Sequence, residues 1–233
     1  MDLTTKIKNL PEFPLDDDCM FLLMIGKSRS GKSYLSRHVM YEMIKRNPKI
    51  YRMIYVWSAT CEVGDYGFCA QEFQSNIFQP EVLEKIISMQ KKEIESCAKT
   101  GKIPRRVIIV LDDVIGMCPF QTLQFQSLLT TYRHYHIELI IMSQYLNKIP
   151  TFARENASLV CLFNLKIKLS IQSAYDSYGG CCFDSYTEWK KFLNEMAVGH
   201  QCLIVHQTQS SELIDNFSTY TAPGTEVKWR FEC

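Results

Sequence analysis

The sequence of 233 residues has little that would place it in a membrane, a metal centre or a secreted scaffold. Its longest apolar runs, Phe21 to Ile25 and Val107 to Leu111, fall far short of the roughly 20 residues that a membrane-spanning helix needs. The opening stretch MDLTTKIKNLPEFPLDDD contains neither the apolar segment nor the cleavage site of a secretory signal. Ten cysteines are present, yet no two have CxxC spacing. That argues against zinc and for reduced, mostly buried thiols, although the adjacent Cys181 and Cys182 fit no such pattern. Charge excess is missing as well: the net is +1, too little to attract nucleic acid globally, while a local basic strip would still suffice. With no repeat or low-complexity tract, the absences predict a soluble intracellular chain with one sizeable core.

What is present is an alternation of strands and helices. Runs rich in apolar, β-branched and aromatic residues predict strands over Met20 to Ile25, Ile50 to Trp57, Arg106 to Asp112, Ile137 to Ser143, Leu159 to Leu165 and Gln201 to His206. Helical spacing predicts helices over Lys32 to Arg46, stopped by Asn47-Pro48, over Glu81 to Thr100, and over Phe120 to Tyr135. The stretch from Ser58 to Pro80 reads as irregular. The alternation implies an α/β fold, a mainly parallel central sheet sandwiched in three layers.

Gly26-Lys27-Ser28-Arg29-Ser30-Gly31-Lys32-Ser33 fits GxxxxGK(S/T) completely, between an apolar strand and an amphipathic helix. Glycines let such a loop fold tightly, so that successive N–H groups face phosphate oxygens, and the following helix adds its positive N-terminal end. The expected phosphate contacts run from Gly26 through Ser33 to Tyr34, with Lys32 reaching the β- and γ-phosphates and Ser33 holding Mg²⁺.

Arg106 to Asp112 is a buried strand from which two carboxylates, Asp112 and Asp113, emerge. Asp112 suits a water-mediated Mg²⁺ contact, and Asp113 suits polarisation of an attacking water. A complete helix and strand separate the phosphate loop from this acidic strand, which suggests an additional strand between the two in the sheet. That is the arrangement of ATPases with an extra catalytic acid. Asn147-Lys148-Ile149-Pro150 has proline where a guanine-reading NKxD element has aspartate, so ATP is expected rather than GTP. Gln144, at the end of the fourth strand, is placed to sense the γ-phosphate, or else is a capping or buried amide.

Taken in order, GKSRSGKS, VIIVLDD and YRHYHIELIIMSQYLNKIPTFARENASLVCLFN resemble the genome-packaging ATPases of large DNA viruses, poxviruses and virophages, within the FtsK–HerA superfamily of ring motors. The resemblance implies a P-loop ATPase of RecA/FtsK type. Residues 1–18 would be an extended leader and 19–233 one domain, divided into a nucleotide-binding core (19–165) and a C-terminal extension (166–233). It implies catalytic roles for Lys32, Asp113 and Gln144, with Asp113 standing where related motors more often have glutamate. Arg133 matches the arginine that enters a neighbouring subunit's site, and Arg154 is a second candidate; a helix-terminal cation is the plainer account of Arg133. The implied partners are double-stranded DNA, further copies of the chain in a ring of five or six, and a capsid or portal vertex. The implied location is the host cytoplasm or viral factory, with no membrane contact. Candidate DNA-contacting bases are Lys99, Lys102, Arg105 and Arg106, and Lys166 with Lys168 alternating on one strand. The aromatic-rich stretch from Asp65 to Phe78 is a candidate subunit interface. A nucleoside or nucleotide kinase, or an adaptor that binds ATP without hydrolysing it, would share the phosphate loop.

Overall fold

Strands that are apolar on both faces must be covered on both faces, and this requirement sets the architecture. A computed structural model describes residues 6–61, 66–118, 120–207, 213–224 and 228–231. Its strands are β1 (Lys8–Asn9), β2 (Phe21–Ile25), β3 (Tyr51–Ser58), β4 (Gln74–Ser75), β5 (Arg106–Asp112), β6 (Ile137–Ser143), β7 (Leu159–Leu162), β8 (Cys202–His206) and β9 (Phe217–Tyr220). They form one sheet in the order β1-β9-β8-β7-β2-β6-β5-β3-β4. From β7 to β4 every pairing is parallel, and β8 alone runs antiparallel to its neighbours. Every residue of β2 and β6, at the centre, is buried.

Side chains alternate across the sheet. Met20, Leu22 and Met24 meet Leu35, Val39, Met40 and Met43 of helix α1 (Lys32–Arg46), together with Phe13, Tyr66 and Phe68. Phe21, Leu23 and Ile25 face the opposite layer. That layer is built from α2 (Pro80–Thr100), α3 (Leu123–Thr131), α4 (Thr151–Asn156), α5 (Lys168–Ala174) and α6 (Tyr186–Met196). The three-layer expectation is met.

The strand inserted between phosphate loop and acidic strand is β6, whereas β3 lies beyond β5. Several local expectations need correction. The strand predicted to Leu165 ends at Leu162, because β2 gives way to the loop at Ile25 and β8 is paired only as far as Leu203, leaving no ladder to continue. Lys166 is therefore in a loop and Lys168 opens α5, so the two do not alternate on a strand. The helix expected over Phe120 to Tyr135 starts at Leu123, where Thr122 caps it by accepting from the Phe125 N–H at 3.4 Å, and tightens into a 3₁₀ turn over Tyr132–Tyr135. The leader joins the sheet: β1 pairs with β9, and Phe13 packs edge-on against Tyr220. Asp65 lies outside the described residues.

Candidate nucleotide site

The carboxyl ends of β2, β5 and β6 meet at one edge of the sheet, and each brings a different chemical group. From β2 comes the loop. Its backbone is left-handed at Arg29 (φ 60°) and Gly31 (φ 105°), and the Gly26 N–H is anchored to the Ser143 carbonyl at 3.1 Å. A side chain at Gly26 would fall 2.6 Å from both Phe163 Cβ and Ser30 Oγ, so the turn excludes one. The first turn of α1 has no acidic residue to neutralise its positive end. The Ser30 hydroxyl is buried without a protein partner. These features fit a bound anion.

Lys32 is buried to 5% exposure. Its Nζ donates to the carbonyls of Gly26 (2.9 Å) and Lys27 (3.2 Å), which leaves the third ammonium proton for a phosphate oxygen. Burial pulls its pKa down, and the charges of Asp113 and Asp112 resist that fall. The lysine thus lies within electrostatic reach of both acids.

Asp112 ends β5 at 5% exposure. Its Oδ2 accepts from Tyr66 Oη at 2.7 Å and from Ser58 Oγ at 3.2 Å. Asp113 leaves the strand in a left-handed conformation, φ 53°, which turns its carboxylate out to solvent. Gln144 Nε2 donates to Asp113 Oδ2 at 3.2 Å. The amide is thus hydrogen-bonded directly to the second acid.

Burial raises the Asp112 pKa above the usual aspartate range, reinforced by Asp113 and opposed by the Tyr66 hydrogen bond, Lys32 and Ser58. Removing the phenol removes a bond that favours the ionised carboxylate, so Tyr66→Phe should raise this pKa further. If Asp112 acts ionised, the acid limb of the ATPase pH profile should move to higher pH in Tyr66→Phe. An unmoved limb would separate Asp112 ionisation from activity.

Arg133 lies at the opposite, amino-terminal end of the sheet. Its Nε donates to the Cys19 carbonyl (3.4 Å) and Nη2 to Ser158 Oγ (3.3 Å), and it stands 3.8 Å from Asp18. The five residues of β2 alone separate the two ends by roughly 17 Å, so Arg133 is out of reach of its own phosphate loop. Arg154 is committed within the chain, donating to the Ile149 and Ser173 carbonyls, to Thr151 Oγ1 and to Ser177 Oγ. Arg106 is likewise spent, on buried Glu138 at 2.9 Å, which removes it from the DNA candidates. Arg105 pairs with Glu93, while Lys99 and Lys102 are exposed near it at the amino-terminal end. At the carboxyl end Lys166 and Lys168 line a cavity of about 510 Å³ with Lys190, Tyr186 and Asn194. The basic candidates therefore lie at two ends of the molecule and form no single strip. Cys19, Cys69, Cys97, Cys161 and Cys202 are buried, and the Cys181 and Cys182 sulfurs stand 3.6 Å apart.

Residues 13–172 match the family described as Poxvirus A32 protein. The chain belongs to that family. The match spans the phosphate loop, both acids, Gln144, Arg133 and Arg154, and it agrees with the viral packaging resemblance seen in the motifs. Protein 088R of Invertebrate iridescent virus 3 is 24% identical over 204 residues, covering 87% of this chain and 75% of its own length. Among solved structures, the genome packaging NTPase B204 of Sulfolobus turreted icosahedral virus 2, determined with ATP-gammaS, superposes with a TM-score of 0.63 at 12% identity, over 88% of this chain and 97% of that one. EssC of Geobacillus thermodenitrificans (ATPases 2 and 3) gives 0.58 at 14% identity, over 89% and 41% respectively. At these identities the two structures show a shared fold.

In this A32 family member, two residues that shape the site, Ser58 and Tyr66, escape the motifs, and a third, Phe163, lies within the last of them without a role read for it. Ser58 was discoverable from strand register, since it pairs with Asp112 across β3 and β5. Tyr66 carries no local signal, because it reaches Asp112 from the layer that covers α1's face of the sheet. Phe163, just past β7, packs on Gly26 and walls the loop.

Proposed function

We propose that the protein is an ATP-hydrolysing motor that drives double-stranded viral DNA into a preformed capsid, working as a ring of identical subunits in the cytoplasm or viral factory. The observation that carries this reading is the convergence of Lys32, Asp112, Asp113 and Gln144 at the ends of three adjacent strands, in a chain of the A32 family. The genome-packaging role of B204, which shares this fold, supports it.

In this reading the Ser33 hydroxyl and Asp112 would hold Mg²⁺, which would supply positive charge near the terminal phosphates. Among the described residues both hydrogen bonds to Asp112 fall on Oδ2, which leaves Oδ1 uncommitted. Lys32 spends its third N–H on the terminal phosphates. Asp113 accepts the proton side of the attacking water, and Gln144 fixes the carboxylate through its bond to Oδ2.

Among the described residues, seven large exposed apolar side chains lie in segments that adjoin this end of the sheet: Ile77, Met117, Leu123, Tyr145, Ile167, Leu169 and Val198. Exposed apolar groups gathered on one face favour a covering partner. A head-to-tail contact would lay the amino-terminal end of one sheet over this rim and carry Arg133 toward the neighbour's phosphates.

The test is ATP turnover of purified protein with and without duplex DNA. Stimulation that weakens steeply with salt is expected, because phosphate contacts release counterions. Turnover indifferent to DNA at all protein and salt concentrations would reject the motor, and phosphorylation of a nucleoside would put a kinase in its place.

A further inference from the structure

The last third of the chain also reaches the phosphate loop. The turn between α6 and β8 sets His200 beside it, with Nδ1 3.3 Å from the Ser30 carbonyl oxygen. A Cβ placed on Gly31 would lie 3.3 Å from the same nitrogen. A carbonyl can only accept, so in this contact Nδ1 carries the proton, and Nε2 of the neutral ring is an acceptor. The His200 residue is solvent-exposed. On the same flank, Tyr34 in the first turn of α1 donates its hydroxyl to the Pro223 carbonyl, joining the helix start to the C-terminal segment.

Sheet order gives this flank a chemical meaning. Asp113 and Gln144 stand at the ends of β5 and β6, on one side of β2. His200 just precedes β8 and Phe163 just follows β7, on the other side. A nucleoside triphosphate lying along the loop with its terminal phosphate toward the acids directs its sugar and base toward β7 and β8. We propose that His200 forms the nucleoside side of the site, its Nε2 accepting a hydrogen bond from a ribose hydroxyl, so that the C-terminal extension distinguishes a nucleotide from a bare polyphosphate. This rests on the ATP reading of the loop.

The test compares Mg·ATP, Mg·ADP and Mg·tripolyphosphate, titrated calorimetrically into the full chain and into His200→Ala and His200→Asn. Asparagine keeps a short donor for the Ser30 carbonyl but lacks the outer ring nitrogen. Both variants should lose about tenfold in affinity for ATP and ADP, the scale of one hydrogen bond at the upper end of its net worth, and hold tripolyphosphate unchanged. Equal losses for tripolyphosphate would mean that His200 only braces the loop, and would overturn the proposal, as would unaltered ATP binding. Wild-type protein that binds none of the three compounds would instead overturn the loop assignment itself.

Discussion

Lys32→Ala should lower ATP turnover by a hundredfold to a thousandfold, on the order seen when one preorganised charge stabiliser is removed from an active site. The reason is specific to the geometry. The ammonium is buried and already satisfied by two loop carbonyls, so its remaining proton is aimed rather than free to wander. The charges of Asp113 and Asp112 act against the penalty of burial. Alanine removes the cation facing the transferring phosphate and also loosens the loop that the lysine ties together. Steady-state turnover at saturating Mg·ATP checks this, and near-normal activity would reject the loop as the catalytic cradle. The same variant tests Arg133. Mixed with Arg133→Ala subunits, which should be equally inactive alone, it should recover partial activity, because some interfaces then combine an intact loop with an intact arginine. Mixed assemblies that stay silent would count against an arginine acting between subunits.

Glu138→Ala should cost about 3–5 kcal/mol of stability, the range for stranding one partner of a buried ion pair. Glu138 sits on β6 at 1% exposure and accepts from the Met20 N–H at 2.6 Å, Arg106 Nη1 at 2.9 Å and Tyr51 Oη at 3.2 Å. One carboxylate thus ties together the entrance to β2, β3 and β5. Burial raises its pKa, and the Met20 N–H and Arg106 act against that rise. Without it a guanidinium with only 14% side-chain exposure loses its counter-charge, and a strand N–H and a phenol lose their acceptor. For a chain of this size the melting temperature should fall by roughly 6–20 °C. Replacing both partners, Glu138→Leu with Arg106→Leu, should recover much of the loss, since the stranded charge is what is costly. A single variant that melts with the wild type would show the knot to be energetically idle.

The parts legible in the sequence were those with local causes. The bounds of α1 and of the central strand Ile137 to Ser143 emerge as read, because apolar periodicity and the Asn47-Pro48 stop act over a few residues. The phosphate loop and the acid pair are legible for the same reason: glycine conformation, helix polarity and a strand end are properties of adjacent residues. Lys166 and Lys168 misled because a strand ends where its neighbours end, and the neighbours of β7 are β2 and a strand some 40 residues further on. Arg106 looked like a free surface cation because its partner is 32 residues away.

The sequence by itself thus determined the fold class and placed the glycine-bearing loop and the two acids at strand ends. Tertiary structure decided which groups those residues touch. Gln144 meets Asp113 across 31 residues, Tyr66 meets Asp112 across 46, and His200 meets the loop across 170. Contacts of that separation arise from sheet order and crossover connections, which no local propensity encodes. The same order placed Arg133 at the far end of the sheet from the loop of its own chain.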